Sequence, residues 1–199
     1  IFASDMNILL IDNRDSFVYN VKALIEQCNV ADRVDVVPND KIDFGRLGDY
    51  SGIVLSPGPG IPNEAADMPK LIDICENTHS ILGICLGHQA IAEHFGAKLH
   101  NLPHPLHGKQ GKLKVVKPED ILLRGLSCCE TIGHYHSWVV AWEELPECIE
   151  VTATDNENNI MSFSHKSKPL YGLQFHPESF MTSCGKTIVQ NWLLSLRSK

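Results

Sequence analysis

No Cys-x-x-Cys pair occurs in this chain, although it holds seven cysteines, at positions 28, 75, 85, 128, 129, 148 and 184. Structural zinc sites are usually built on such pairs, so a zinc-stapled fold is not expected. The count is odd and the spacing scattered, which suits a reduced cytoplasmic protein with mostly small core cysteines better than a disulfide framework. No apolar run approaches the roughly 18 residues of a membrane-spanning helix, so no membrane association is expected. The opening IFASD lacks the basic-then-apolar order of a secretory signal; Met6 reads as the natural start, with Ile1–Asp5 foreign to it. Positive charge is scarce too. Lys and Arg number 17 against 24 Asp and Glu, a net charge of −7, which argues against a nucleic-acid surface. No GK[ST] follows any glycine loop, so a Walker-type phosphate cradle is excluded. There is neither an internal repeat nor a low-complexity linker, and residues 1–199 are expected to form a single domain.

With 43% hydrophobic residues, the chain can bury a sizeable core. NILLID (7–12), GIVLS (52–56) and SILGIC (80–85) are continuous apolar runs, the mark of strands buried on both faces, and RVDVVP (33–38) alternates as a strand. Helices are expected after Asp15 or Ser16 as caps (stripe Phe17, Val21, Leu24, Ile25), over 64–77, and over LGHQAIAEHF up to Gly96. This order predicts an α/β fold: a doubly wound, mostly parallel sheet flanked by helices. In the second half, KLKVV (112–116), 130–140, 149–155, 159–165 and 169–177 read as added antiparallel strands. An amphipathic helix over 184–198 closes the chain. Ligands in such sheets sit beyond the carboxyl ends of the parallel strands, where DNRDSF, SPGPG and CLGH all fall.

GICLG (83–87) carries glycine two places before and two places after Cys85. This is the pattern of a nucleophile elbow, a strand-to-helix turn too tight for side chains at those positions. A helix opening at Leu86 puts its positive end beside the sulfur, which favours thiolate, and leaves the Leu86 N–H free to bind an oxyanion. Gln89 lies one turn further on, facing the same space. Alone, GxCxG also describes an inert buried cysteine, so a base and a second donor are needed. FHPES (175–179) supplies His176, with Glu178 to orient the ring and stabilise its charged form. SPGPG (56–60) supplies the donor: Pro57 and Pro59 have no N–H, leaving Gly58 and Gly60 as the donors of a rigid loop.

Together these motifs, in this order across essentially the whole chain, resemble the class I glutamine amidotransferases, for which SPGPG, GICLGHQ and FHPES are signatures. LLIDNRDSFVYN, LHGK (106–109) and YHSW (135–138) narrow the resemblance to the glutaminase subunits of anthranilate synthase (component II) and 4-amino-4-deoxychorismate synthase. The family's fold is a flavodoxin-like core. The resemblance implies hydrolysis of L-glutamine by Cys85 as nucleophile, His176 as base and Glu178 as orienting acid. It puts the N–H groups of Gly58 and Leu86 at the oxyanion. Gly58, Pro59 and Gly60 of the loop, Gln89, Ser137 and Trp138 would hold substrate, with Trp138 where the family usually has leucine. It implies no cofactor and no metal.

Ammonia would pass to a chorismate-using synthase subunit, expected on another chain because no second synthase domain fits in 199 residues. LHGK and the preceding HNLPHP are candidates for that interface or for a solvated loop. His100, His104 and His107 have proline-broken spacing unsuited to zinc; His134 and His136 read as a structural pair beside the pocket. Asp12, Asn13 and Asp15 read as turn and cap residues. Two other readings remain: a γ-glutamyl hydrolase or Cys peptidase on the same elbow, and a catalytically silent docking or regulatory subunit. SPGPG and Gln89 weigh against the first, the intact Cys85, His176 and Glu178 against the second.

Overall fold

The computed structural model describes residues 5–127 and 129–197. Ile1–Ser4 of the stretch expected to be foreign, Cys128, and the end of the expected last helix lie outside the described residues.

The parallel half consists of β1 (Asn7–Asp12), α1 (Val18–Gln27), β2 (Arg33–Pro38), β3 (Gly52–Leu55), α2 (Met68–Cys75), β4 (Ser80–Ile84) and α3 (Leu86–His94). The rest comprises β5 (Leu99–Val115), β6 (Cys129–Val140), β7 (Ile149–Thr154), β8 (Ile160–His165), β9 (Leu170–Leu173) and α4 (Gly185–Leu196). All nine strands join one mixed sheet in the order β2-β1-β3-β4-β9-β8-β7-β5-β6. The first five are parallel, and β9 joins β8 antiparallel.

The apolar strands are buried on both sides because alternate side chains point to opposite faces. Ile8 and Leu10 of β1 share a core with Val18, Val21 and Ile25 of α1 and Ile188 and Trp192 of α4. Leu9 and Ile11 share another with Leu71 and Ile72 of α2 and Ile91 of α3. Each such side chain contributes about 1.5–3 kcal/mol through burial. Trp192 is fully buried and donates its indole N–H to Ser80 Oγ at 3.0 Å. It lies over Gly52, where a Cβ would come within 3.0 Å of the indole; only glycine lets α4 pack this closely.

Several expected boundaries shift. α2 starts at Met68, because Ala66 is left-handed (φ 44°) and Pro69 fixes the first turn. A 3-10 turn, Pro62–Glu64, covers part of the remainder, and another, Phe44–Asp49, precedes β3. α1 is preceded by Phe17 rather than capped by Asp15 or Ser16; the Asp15 carboxylate instead accepts from the Phe17 N–H at 2.7 Å. The largest difference is β5. The residues HNLPHP and LHGK belong to a 17-residue strand that pairs with β6, with irregular register between Asn101 and Leu106 and between His107 and Lys109. The prolines break the ladder locally, and Gly108 takes a left-handed φ of 65° there. This β5–β6 ribbon carries residues 135–138 to the carboxyl ends of the parallel strands.

Candidate active site

Cys85 links β4 to α3 with φ 51° and ψ −99°, a region that non-glycine residues rarely occupy and that costs about 1–3 kcal/mol. The neighbouring packing holds it there. Its N–H donates to the Leu173 carbonyl of β9 at 2.7 Å, and its carbonyl accepts from Gln89 N–H at 3.0 Å. A Cβ on Gly83 would lie 2.4 Å from the Gly87 carbonyl, and one on Gly87 would lie 2.5 Å from the Leu55 carbonyl. The two glycines therefore let the turn fold onto itself and onto β3.

β9 ends at Leu173, four residues short of the expected stop. The chain then crosses to β6: Gln174 N–H still reaches Met161 of β8 at 2.9 Å, whereas His176 N–H donates to Gly133 of β6 at 3.1 Å. This crossing turns the His176 ring back toward the elbow. Its Nδ1 lies 2.6 Å from Glu178 Oε1, with side-chain exposures of 2% and 0%. Burial works against a charged ring here, but the adjacent Cys85 and then Glu178 outweigh it, and the His176 pKa rises to about 10. His176 Nε2 has no other hydrogen-bond partner, which leaves it for the sulfur. Phe17 and Tyr135 wedge the ring, with centroids 5.6 and 5.0 Å away.

The remaining cysteines are chemically different. Burial pushes the Cys75 thiol up to about 11; burial, reinforced by Glu130, pushes Cys184 to about 12. Cys28 is raised too, chiefly by burial. These three are core thiols, kept protonated at neutral pH.

Cys85 opens into a cavity of about 220 Å³ lined by Gly58, Pro59, Gly60, Gln89, Ser137 and Trp138, with His107, Tyr135 and His136 completing the wall. The expected substrate residues thus meet in one place, although they come from three separate stretches of chain. The volume is below the roughly 300–1,000 Å³ of pockets for larger ligands and suits a free amino acid. Leu86 contributes only backbone: its side chain packs on Gly58, where a Cβ would come within 2.5 Å of it. His107 Nε2 lies 3.2 Å from Ser137 Oγ, so LHGK takes part in the cavity rim. His134 Nδ1 and His136 Nε2 are 3.0 Å apart, the pair expected from their alternation. His136 is buried and its pKa falls to about 3, mainly through burial and then through His134, so it meets the cavity as a neutral ring. Among the described residues no group of three His, Cys, Asp or Glu is arranged to hold a metal ion.

Three residues escaped the sequence reading. Asn13, read as a turn residue, is buried and braces the SPGPG loop: its N–H donates to Ser56 Oγ at 3.0 Å and its Nδ2 to the Ser56 carbonyl at 2.9 Å. Phe17, assigned to the helix stripe, packs on His176 instead. Gln174 is fully buried beside Cys85, its Nε2 3.7 Å from the sulfur. A signal for Gln174 was present, since a residue two places before His176 on an extended segment shares its face.

Known proteins share this sequence and this fold along nearly the whole chain. The model of the family "Glutamine amidotransferase class-I" matches residues 9–196. The chain is 41% identical over 188 residues to a Haemophilus influenzae protein provisionally named anthranilate synthase component II, covering 94% of this chain and 96% of that one. It is 36% identical over 194 residues to the Bacillus subtilis aminodeoxychorismate/anthranilate synthase component 2, covering 96% and 98%. A crystal structure from Thermoplasma acidophilum, provisionally described as one subunit of a GMP synthase, superposes with a TM-score of 0.86 at 30% identity, over 98% of this chain and 96% of that one. The strained cysteine, the imidazole turned toward it and a match running from β1 to α4 lead to one conclusion: the chain belongs to the class I glutamine amidotransferase family.

Proposed function

We propose that this protein is the glutaminase subunit of a chorismate-using synthase, forming anthranilate or 4-amino-4-deoxychorismate, and that Cys85, His176 and Glu178 are its catalytic residues. The observation that carries the reading is the strained Cys85 in a cavity sized for an amino acid, beside a buried His176–Glu178 pair. The Cys85 thiolate attacks the side-chain carbonyl carbon of L-glutamine. The oxyanion is held by the N–H groups of Gly58 and Leu86, each worth about 2.7–4 kcal/mol in the barrier. The C–N bond breaks as His176 Nε2 protonates the departing nitrogen, which leaves as ammonia. Water, deprotonated by the same nitrogen, then cleaves the γ-glutamyl thioester, releasing glutamate and restoring the thiolate. Glu178 keeps the imidazole oriented and stabilises its charged form. Gly58, Pro59, Gly60, Gln89, Ser137 and Trp138 hold the amino acid.

Residues 1–199 act as one domain, since Cys85 and His176 follow adjacent strands of one sheet. The free cysteines Cys28, Cys75, Cys85, Cys148 and Cys184 suit a cytoplasmic setting. Both relatives carry "component" in their names, which supports delivery of the ammonia to a partner synthase chain. The exposed stretch of β5 bearing HNLPHP and LHGK, at the cavity rim, is the proposed contact with it.

Cys85→Ala, assayed with the synthase subunit, tests the assignment. Glutamine-driven synthesis should vanish while synthesis from free ammonia continues; loss of both activities would refute the division of labour. Ammonia release from γ-glutamyl peptides at the rate seen with glutamine would point to the hydrolase reading instead.

A further inference from the structure

The cavity wall holds a chain of amides with a fixed direction. Gln89 Nε2 donates to the Trp138 carbonyl at 2.9 Å, and that carbonyl can only accept. The Gln89 NH2 is thereby oriented, and it also donates to Gln174 Oε1 at 3.1 Å. Gln174 is therefore oriented as well, its oxygen toward Gln89 and its NH2 toward Cys85 Sγ at 3.7 Å. Reversing either amide would set two NH2 groups against each other or point a carbonyl oxygen at the sulfur. Gln174 is fully buried and Gln89 is 3% exposed, so water does not compete for these bonds.

We propose that Gln174 is a positioning residue that donates a hydrogen bond to the Cys85 thiolate, and that the Trp138 carbonyl sets its polarity through Gln89. The bond stabilises the sulfur anion alongside the His176 imidazolium and keeps the nucleophile in one rotamer before substrate arrives. Both hydrogens of Gln89 Nε2 are committed in this chain, so Gln89 presents only its oxygen to the ligand and selects an N–H group there. The inference rests on Cys85 being the thiolate nucleophile. It adds a donor that glycine loops and helix ends do not supply.

The test is the pH profile of Cys85 alkylation by iodoacetamide, with the modified residue located by peptide mass, in wild type, Gln174→Glu and Gln174→Leu. Gln174→Glu preserves size and the acceptor for Gln89 but removes the donor. Alkylation at pH 7 should slow roughly ten- to hundredfold, the range for a hydrogen bond to a charged group, and the profile should move to higher pH. In ammonia release kcat should fall with KM little changed. Gln89→Met, which frees the Gln174 amide to turn, should move the profile the same way by less. A profile that coincides with wild type in Gln174→Glu, with only the melting temperature lowered, would reduce Gln174 to core packing and overturn the proposal. Should both Gln174 variants fail to fold, Gln89→Met decides by the same criterion. Wild-type protein that is not alkylated at Cys85 would instead refute the nucleophile assignment, so the two failures are distinguishable.

Discussion

Nδ1 of His176 lies 2.6 Å from Oε1 of Glu178, and the two side chains share a site sealed from solvent. A carboxylate so placed can favour a single ring tautomer, with Nδ1 carrying its proton toward Glu178 and Nε2 turned to the sulfur. Glu178→Gln removes the negative charge that stabilises the imidazolium while keeping the shape. Glutamine-dependent ammonia release should fall by about 10²–10⁴ in kcat. A rate within twofold of wild type would remove Glu178 from the mechanism.

Phe17 sits against the same ring at 5.6 Å and against Tyr135 at 5.1 Å. Phe17→Ala opens space on one side of His176 and lets it leave its productive orientation. A misplacement of about 1 Å can cost up to a hundredfold. Here kcat should drop roughly tenfold, with KM nearly constant, in steady-state assays with the synthase subunit. An equal rise in KM would mean that Phe17 shapes the cavity rather than the base.

The elbow itself offers a steric test. An alanine Cβ at position 83 would meet backbone atoms of Gly87 at 2.4 Å, and backbone cannot rotate away as a side-chain tip can. Gly83→Ala should lose about 3 kcal/mol or more. Denaturant midpoints would show it, as would a fall in soluble yield. Stability equal to wild type would mean that the turn has a looser geometry.

Acid should loosen the protein through its buried imidazoles. His88 is fully buried against the Phe163 ring, with neither nitrogen hydrogen-bonded, and burial lowers its pKa to about 3; His136 is lowered to about 3 as well. Both folded values lie below the unfolded value of about 6.5. As pH falls below about 6.5, the unfolded chain takes up protons that the folded chain refuses. Each histidine then removes up to about 1.4 kcal/mol of stability per pH unit, until pH approaches the folded value. Urea midpoints should decline from pH 7 to 5, and His88→Leu should flatten that decline. An unchanged slope in the variant would show that His88 is not a source of it.

The parallel half of the fold was legible because its signals are local. Apolar runs such as NILLID and GIVLS can form little else than strands buried on both faces. Glycines two places either side of Cys85 are required by the atoms of the turn they belong to. The identities of Cys85, His176 and Glu178 were legible for the same reason, each lying in a short stretch whose residue types suit one chemistry. The sequence could also anticipate the pairing of His134 with His136, since alternation on a strand sets both on one face.

What it could not supply was anything decided by distant packing. HNLPHP reads as a loop because proline interrupts a ladder, yet β6 pairs with it across the bulges and makes it strand. Asn13 reads as a turn residue until Ser56, 43 positions on, is folded against it. The Gln174 amide acquires its direction from a carbonyl on β6, relayed by a side chain on α3. Residue type and spacing determined which groups are present and what the turn around Cys85 must be. Only the tertiary structure decided which groups touch, because hydrogen-bond direction and burial depend on partners that separate segments bring together.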